Sequence, residues 1–202
     1  MGSAILVEGH LALRKALQNY APDLLKISRK EVAAALIPIV NEARGHVPPS
    51  SPMSGWAPRS FSEARWPFYY ASIIKRGIGY QTSPSRTNRF GWSALARIEN
   101  KTRIGAIYET AGRKNGQGQE WVGPKAGGKS RGVSRSNNPF AGNQFISNLG
   151  QLYGTKKETG RLIYRAWEND RGKANDAYFK AVNKANDNLV KRSAMFNLTR
   201  AA

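Results

Sequence analysis

The stretch Ala21 to Val47, APDLLKISRKEVAAALIPIVNEARGHV, constrains this chain more than any other, because it reads as one long amphipathic helix whose apolar face must be covered. Leu25, Ser28, Val32, Ala35, Leu36, Ile39 and Ala43 recur three and four residues apart, so they share one stripe of the helix. Lys26, Arg29, Lys30, Asn41 and Arg44 fall mostly outside that stripe. Pro22 suits a first turn, where a missing N–H costs nothing, and Gly45 followed by Pro48 and Pro49 makes a stop. Pro38 is discordant, since an interior proline removes one backbone hydrogen bond and clashes with the carbonyl four residues before it. The spacing predicts a helix kinked between Ala34 and Pro38, with a break into two helices as the alternative.

A chain of 202 residues can build one domain with a real core, or one domain and a sizeable extension. Apolar residues make up only 40% of it, with 20 Gly and 10 Pro, which favours the second form. Cysteine is absent, which excludes disulfides, thiolate metal ligands and a cysteine nucleophile. The opening MGSAILVEGHLALRK lacks the basic start and long apolar run of a signal peptide, and no later stretch reaches membrane-spanning length. The expectation is a protein made in a reducing cytoplasm and acting in soluble form, with no membrane partner. Lys and Arg number 32 against 13 Asp and Glu, a net charge of +19. Such a balance attracts polyanions and opposes self-association unless counter-charge intervenes, and it fits either a solvated basic surface or residence near nucleic acid.

Ahead of the long helix, Ile5 to Val7 suits a short strand, and Leu13, Leu17 and Tyr20 suit a helical run docking on it. After it, PPSSPMSGWAPRSFSEARWP is too rich in Pro, Ser and Gly for a regular element and is expected to hug the surface, anchored by Trp56, Phe61 and Trp66. Pro67 opens a helical turn with Phe68, Tyr69, Ile73 and Ile74 as its apolar content. Gly77 to Gln81 has strand character, Thr82 to Arg89 suits a hairpin connection, and Gly91 to Glu99 supplies a returning strand with Trp92 and Ile98 on one face. Thr102 to Ala111 reads as a short strand or helix. The last element runs from about Leu162 to Arg192, where Gly172 divides a buried entry segment, RLIYRAW, from a helix. Ala174, Tyr178, Ala181, Val182, Ala185 and Leu189 stripe that helix, with Lys173, Lys180, Lys184 and Lys191 elsewhere.

Between these parts, GRKNGQGQEWVGPKAGGKSRGVSRSNNP carries Arg113, Lys114, Lys125, Lys129, Arg131 and Arg135 against the single acid Glu120. Alone it cannot bury enough apolar surface to offset the entropy of ordering, so it is expected to be mobile in an isolated monomer and ordered by neighbouring subunits. Its cations interleaved with Trp121 suit salt-dependent phosphate contacts with occasional stacking. An acidic patch on an adjacent subunit, or plain solvation, suits them as well. No recognition helix or zinc finger accompanies them, so base-specific reading of DNA is not expected.

Catalytic chemistry finds little purchase. His10 and His46 lack a carboxylate or second ligand at metal spacing, Glu168 and Asp170 read as a solvated helix face, and GRKNGQG does not match a phosphate-binding loop. No catalytic, cofactor or metal site is expected, and no enzyme.

Four places in the chain carry a family resemblance: the long helix ending in ARGHVPPSSPMSGW, the segment GAIYETAGRKN, the later RLIYRAW, and the terminal amphipathic helix. In this order they resemble the tail-completion or neck proteins of long-tailed bacteriophages, the minor tail protein Z-like group. Tyr108, Glu109, Ala111 and Gly112 match the group's tyrosine, acid, small residue, glycine segment, and Arg161 to Trp167 its Arg-started entry into the last helix. The region Gly112 to Asn148 is an insertion relative to shorter members, so its role is not carried over.

The resemblance implies a virion part at the head-to-tail junction, a hexameric ring of this chain around the DNA channel. Head connector proteins would lie on one side and tail terminator or tail tube proteins on the other. A tail terminator, an adaptor or stopper ring, and a nonspecific nucleic-acid-binding protein are the alternatives. The expected fold is α+β, with long N-terminal and C-terminal helices packed around a small antiparallel sheet. Residues 1–111 would form the first part of the core, 112–148 an extended basic loop, and 149–202 the closing core segment and helix.

Overall fold

The computed structural model describes residues 18–19, 22–58, 67–87, 89, 94, 96–124, 133–155, 158–170 and 172–200. Expectations about Ile5 to Val7, His10, Leu13, Leu17, Tyr20, Phe61, Trp66 and Trp92 lie outside these residues. The chain is α+β. Its helices are α1 (Pro22–Gly45), α2 (Ala71–Gly77), α3 (Arg103–Thr110), α4 (Ala141–Asn148), α5 (Ile163–Asp170) and α6 (Lys173–Arg200), with a 3-10 turn at Ser54–Trp56. Strands β1 (Ile78–Gln81), β2 (Arg97–Asn100), β3 (Glu120–Trp121), β4 (Val133–Ser134), β5 (Tyr153–Thr155) and β6 (Glu158–Gly160) pair two by two. Ladder β5–β6 is antiparallel and β3–β4 is parallel. The strand content is therefore spread over separate ladders, each too short to form a sheet of its own.

Helix α1 runs without interruption through Pro38. The carbonyl that Pro38 leaves without a donor belongs to Ala34, and both residues are exposed, so water can replace the lost bond. The segment from Thr102 to Ala111 resolves as helix α3, started by Thr102, whose hydroxyl accepts from the Gly105 N–H. The division expected at Gly172 occurs there, between α5 and α6, and Asp170 caps α6 by accepting from the Ala174 N–H at 2.7 Å.

The fold divides into two compact units. One, a helical unit, takes in the described residues of Met1–Val40, Tyr80–Ile98 and Asp170–Ala202. In it Glu31 receives Lys184 at 2.6 Å, and Asp23 receives both terminal nitrogens of Arg192 at 2.6 and 3.0 Å. Eight residues forward on α1 matches eight residues back on α6, so the two helices run antiparallel. Val32, Leu36 and Ile39 are buried at spacings of four and three, and Ala185, Ala181 and Tyr178 repeat that spacing in reverse. Each of the large α1 side chains contributes about 1.5–3 kcal/mol by leaving water. The exposed ion pairs add little to this and serve mainly to fix register. Between β1 and β2 the Ser85 N–H donates to Ala94 O at 2.8 Å and the Arg97 guanidinium to Ser83 O, and the returning strand is Arg97–Asn100 where Gly91 to Glu99 was expected.

The second unit, Asn41–Gly79 with Glu99–Asn169, has an aromatic centre. Trp56 meets Tyr69 edge to face at 5.2 Å, stacks near Tyr108 at 6.4 Å and tilts against Phe145 at 5.3 Å. The polar tips of the first two find main-chain carbonyls. Trp56 Nε1 donates to Pro67 O at 2.8 Å and the Tyr69 hydroxyl to Pro48 O at 2.6 Å. This is how the Pro-rich segment is held without regular structure, with Trp56 as the anchor the sequence indicated. Ile74, Ile78 and Leu162 are fully buried beside it. Arg44, at the end of α1, donates to Ile78 O at 2.7 Å and to Lys75 O at 3.1 Å, tying the end of α1 to the junction of α2 and β1.

Replacing Pro38 by Ala restores a helical hydrogen bond at an exposed site and should stabilise the protein by about 1–3 kcal/mol. Thermal unfolding followed by circular dichroism checks this, and a lowered midpoint would show that Pro38 is needed for the path of α1.

Candidate functional site

The residues with the most unusual surroundings are Glu109 and Arg161, the two buried charged side chains among the described residues, 5% and 4% exposed. Glu109 lies in the last turn of α3, and Arg161 stands two residues before the start of α5. The Glu109 carboxylate accepts from the N–H groups of Leu162 at 2.6 Å, Ile163 at 3.1 Å and Tyr164 at 3.2 Å, which are the donors that α5 leaves unused at its start. In return the Arg161 guanidinium donates to Tyr108 O at 3.1 Å and Ala111 O at 2.7 Å, at the end of α3, and to Gly150 O at 2.9 Å. Each helix thus has its end capped by a charged side chain held next to the other. The anion sits at a positive helix start and the cation at a negative helix end, both favourable to the peptide dipoles. Gly160 makes the approach possible, because a Cβ there would overlap the Glu109 carboxylate.

Burial pushes the Glu109 carboxyl above its ordinary range, and its backbone hydrogen bonds oppose that push. Burial also lowers Arg161, with Tyr108 and Glu109 opposing, and raises the Tyr108 phenol. The arrangement consumes the acceptor capacity of Glu109 in caps. It is a structural device, built from the two segments YETAG and RLIYRAW.

Directly after this cap the insertion begins. Arg113 is half-buried, donates to Thr159 O and lies over the Tyr164 ring at 5.2 Å, so the first of the expected contact residues is part of the fold. Lys114 is exposed. The chain turns at Asn115, whose side-chain oxygen accepts from the Gln117 N–H at 3.0 Å and whose carbonyl accepts from the Gly118 N–H at 3.1 Å. Gly118 has φ +81° and faces the backbone of Gly142, where any side chain would collide with main chain. Asn143 donates to the Gln117 side chain across the same junction.

Farther out, Glu120 pairs with Val133 and Trp121 with Ser134 in the β3–β4 ladder, and Trp121 Nε1 donates to Ser136 O at 2.9 Å. Trp121 lies on β3 and Arg135 directly follows β4, and both are exposed. Lys125, Lys129 and Arg131 lie outside the described residues. In the described parts of this region glycines and amide side chains supply turns where apolar packing is scarce. The side chains turned outward here are Phe140, 67% exposed, Trp121, 44%, and Val122, 39%.

His46 ends α1 with its Nε2 3.5 Å from Glu42, and burial lowers its pKa. Glu168 is exposed, and Asp170 is the cap of α6. Among the described residues no group of three or more His, Asp or Glu could hold a metal ion, and no helix is long and apolar enough to cross a membrane.

The interlock is what the sequence reading missed. The cues existed separately: a lone acid between Tyr108 and the Gly112 turn, and an arginine opening an apolar run. What could not be read was that they meet across more than fifty residues. No protein-family model, no curated protein and no solved structure matches the chain.

Because the folded protein holds Glu109 above its ordinary value of 4.5, the folded state binds the extra proton between that value and the raised one. The contribution of Glu109 is therefore greatest below pH 4.5 and declines as pH rises through the raised value. Urea unfolding of the wild type and of Glu109→Gln between pH 4 and 7 should show the stability difference shrinking, or moving in favour of Gln, as pH rises. A difference independent of pH refutes the assignment. Arg161→Met, which leaves three carbonyls without their donor, should cost about 3 kcal/mol or more in the same measurement.

Proposed function

We propose that the chain is a structural subunit of the neck of a long-tailed bacteriophage, forming a homo-oligomeric ring at the head-to-tail junction through which DNA passes. The observation that carries this reading is the outward use of apolar side chains by the insertion. Phe140, Trp121 and Val122 are exposed on a segment that also displays Lys114 and Arg135. Aromatic residues rimmed by cations are the composition of a contact surface. In a ring, each subunit can lay such a segment over its neighbour and the rotation closes.

The interlocked caps support an architectural role, since the two most buried charges are occupied in holding helix ends. The segments they join are those in which the chain resembles the neck group. The cations face either DNA in the channel or acidic surfaces of adjoining subunits, with connector proteins and tail terminator or tube proteins as axial neighbours. Tail terminators and adaptor or stopper rings belong to the same structural class and differ in which layer they occupy. Catalysis, a cofactor and a metal form no part of the proposal.

Two variants test it by complementing a phage that lacks the gene. Lys114→Glu with Arg135→Glu, and separately Trp121→Ala, should leave the monomer's circular dichroism and thermal unfolding unchanged. Unjoined heads and tails should accumulate under the electron microscope. Loss of the Trp121 ring should weaken subunit association by about 2 kcal/mol, read by sedimentation. Normal joining with both variants, or absence of the chain from purified virions by mass spectrometry, would refute the reading.

A further inference from the structure

Helix α6 buries Ala174, Tyr178, Ala181 and Ala185 and turns a second stripe to solvent. Phe179, Asn183, Asn186 and Val190 recur four, three and four residues apart, so they lie along one line of the helix, on the side away from the buried alanines. All four are exposed, Phe179 by 42% and Val190 by 57%. Half-buried Val182 and Leu189 border this line on one side, and exposed Lys180 and Asp187 border it on the other. In a chain of net charge +19, α6 thus keeps an apolar and amide seam clear of charge between Phe179 and Val190, with its charges gathered on one flank.

The order of these residues matches itself when reversed. When two copies of α6 lie antiparallel with Asn183 of one beside Asn186 of the other, a two-fold axis relates them, and Phe179 meets Val190 of the second copy at both ends of the seam. Each amide carries both donors and an acceptor, so Asn183 and Asn186 can bond each other across the pair. The same register sets Lys180 beside Asp187 of the second copy on one flank and Val182 beside Leu189 on the other. Charge then faces opposite charge, and apolar faces apolar. A parallel alignment achieves neither, because it sets Lys180 and Asp187 against Asn175 and Val182. The face therefore selects both its occupant and the direction in which that occupant runs.

We propose that this face joins two copies of the chain through α6, antiparallel about a two-fold axis between Asn183 and Asn186. Phe179 and Val190 supply the apolar layers, and the central amides fix the register at some cost in affinity. The seam runs for only about 16 Å, short of a standard interface, so the dissociation constant should fall at about 10–200 µM. Such a contact is isologous, whereas a ring closes through heterologous contacts, so it belongs to the free protein and does not depend on the neck reading. Absence of the chain from virions would end that reading and leave this one standing.

Sedimentation equilibrium of the full chain, from about 5 to 500 µM in about 0.15 M NaCl, provides the test. Lys180→Asp sets carboxylate beside carboxylate on both sides of the axis, and Asp187→Lys sets ammonium beside ammonium, so each should weaken dimerisation about tenfold. Combining the two substitutions restores opposite charges and should bring the constant back to within about threefold of wild type. Because the chain has no cysteine, introduced thiols read the register directly. Under mild oxidation, Asn183→Cys and Asn186→Cys chains should give at least about threefold more disulfide-linked dimer when mixed than either gives alone. Circular dichroism of each variant confirms retained helix. A wild type that stays monomeric at the highest concentration, single variants that associate as the wild type does, a combined variant no tighter than the singles, or equal yields from mixed and separate thiol chains each overturns the proposal.

Discussion

The exchange of helix ends between Glu109 and Arg161 is the constraint on which the aromatic-centred unit of this protein depends. A helix end inside a protein leaves N–H or C=O groups without partners, and unpaired buried groups of this kind are costly. Helices α3 and α5 solve the problem for each other, with a carboxylate spanning three N–H groups at one end and a guanidinium spanning carbonyls at the other. Charges so deeply buried persist only when hydrogen bonds compensate them, and here Glu109 accepts from three N–H groups and Arg161 donates to three carbonyls. The price is paid in sequence freedom, since Gly160 must have no side chain.

This arrangement also sets the root of the insertion. Arg113 follows α3 directly and is fastened to Thr159 and Tyr164, the flanks of the same cap. From that fixed base, short turns and a two-residue ladder carry Trp121 and Arg135 outward. The described part of this segment thus leaves Trp121, Val122 and Phe140 exposed at the surface. Rigid roots with exposed tips are the usual way in which loops carry recognition.

Much of the helical framework was legible in the sequence because periodicity is a local signal. The stripe Val32, Leu36, Ile39, the break at Gly172 and the anchoring role of Trp56 could each be read from a short window. Other features were not local. Arg113 resembles Lys114 in the sequence, yet only one of them is tied down, and the difference lies in Tyr164 fifty residues away. The strands were too brief for alternation to count them, so one expected sheet became separate ladders. Pro38 does not divide α1 into two helices, because on the solvent side of a helix water can take the place of the lost hydrogen bond.

The helical unit is discontinuous in the chain, and this bears on how the protein comes into being. Glu31 and its partner Lys184 are 153 residues apart. A ribosome adding about 5–20 residues per second leaves the greasy side of α1 without its mate for roughly 8–30 seconds. Meanwhile the aromatic unit, which needs nothing beyond Asn169, can close before the final helix has emerged. Birth order thus runs inside out: α1, made early, is among the last elements to settle, and its waiting surface is where a nascent-chain chaperone would take hold.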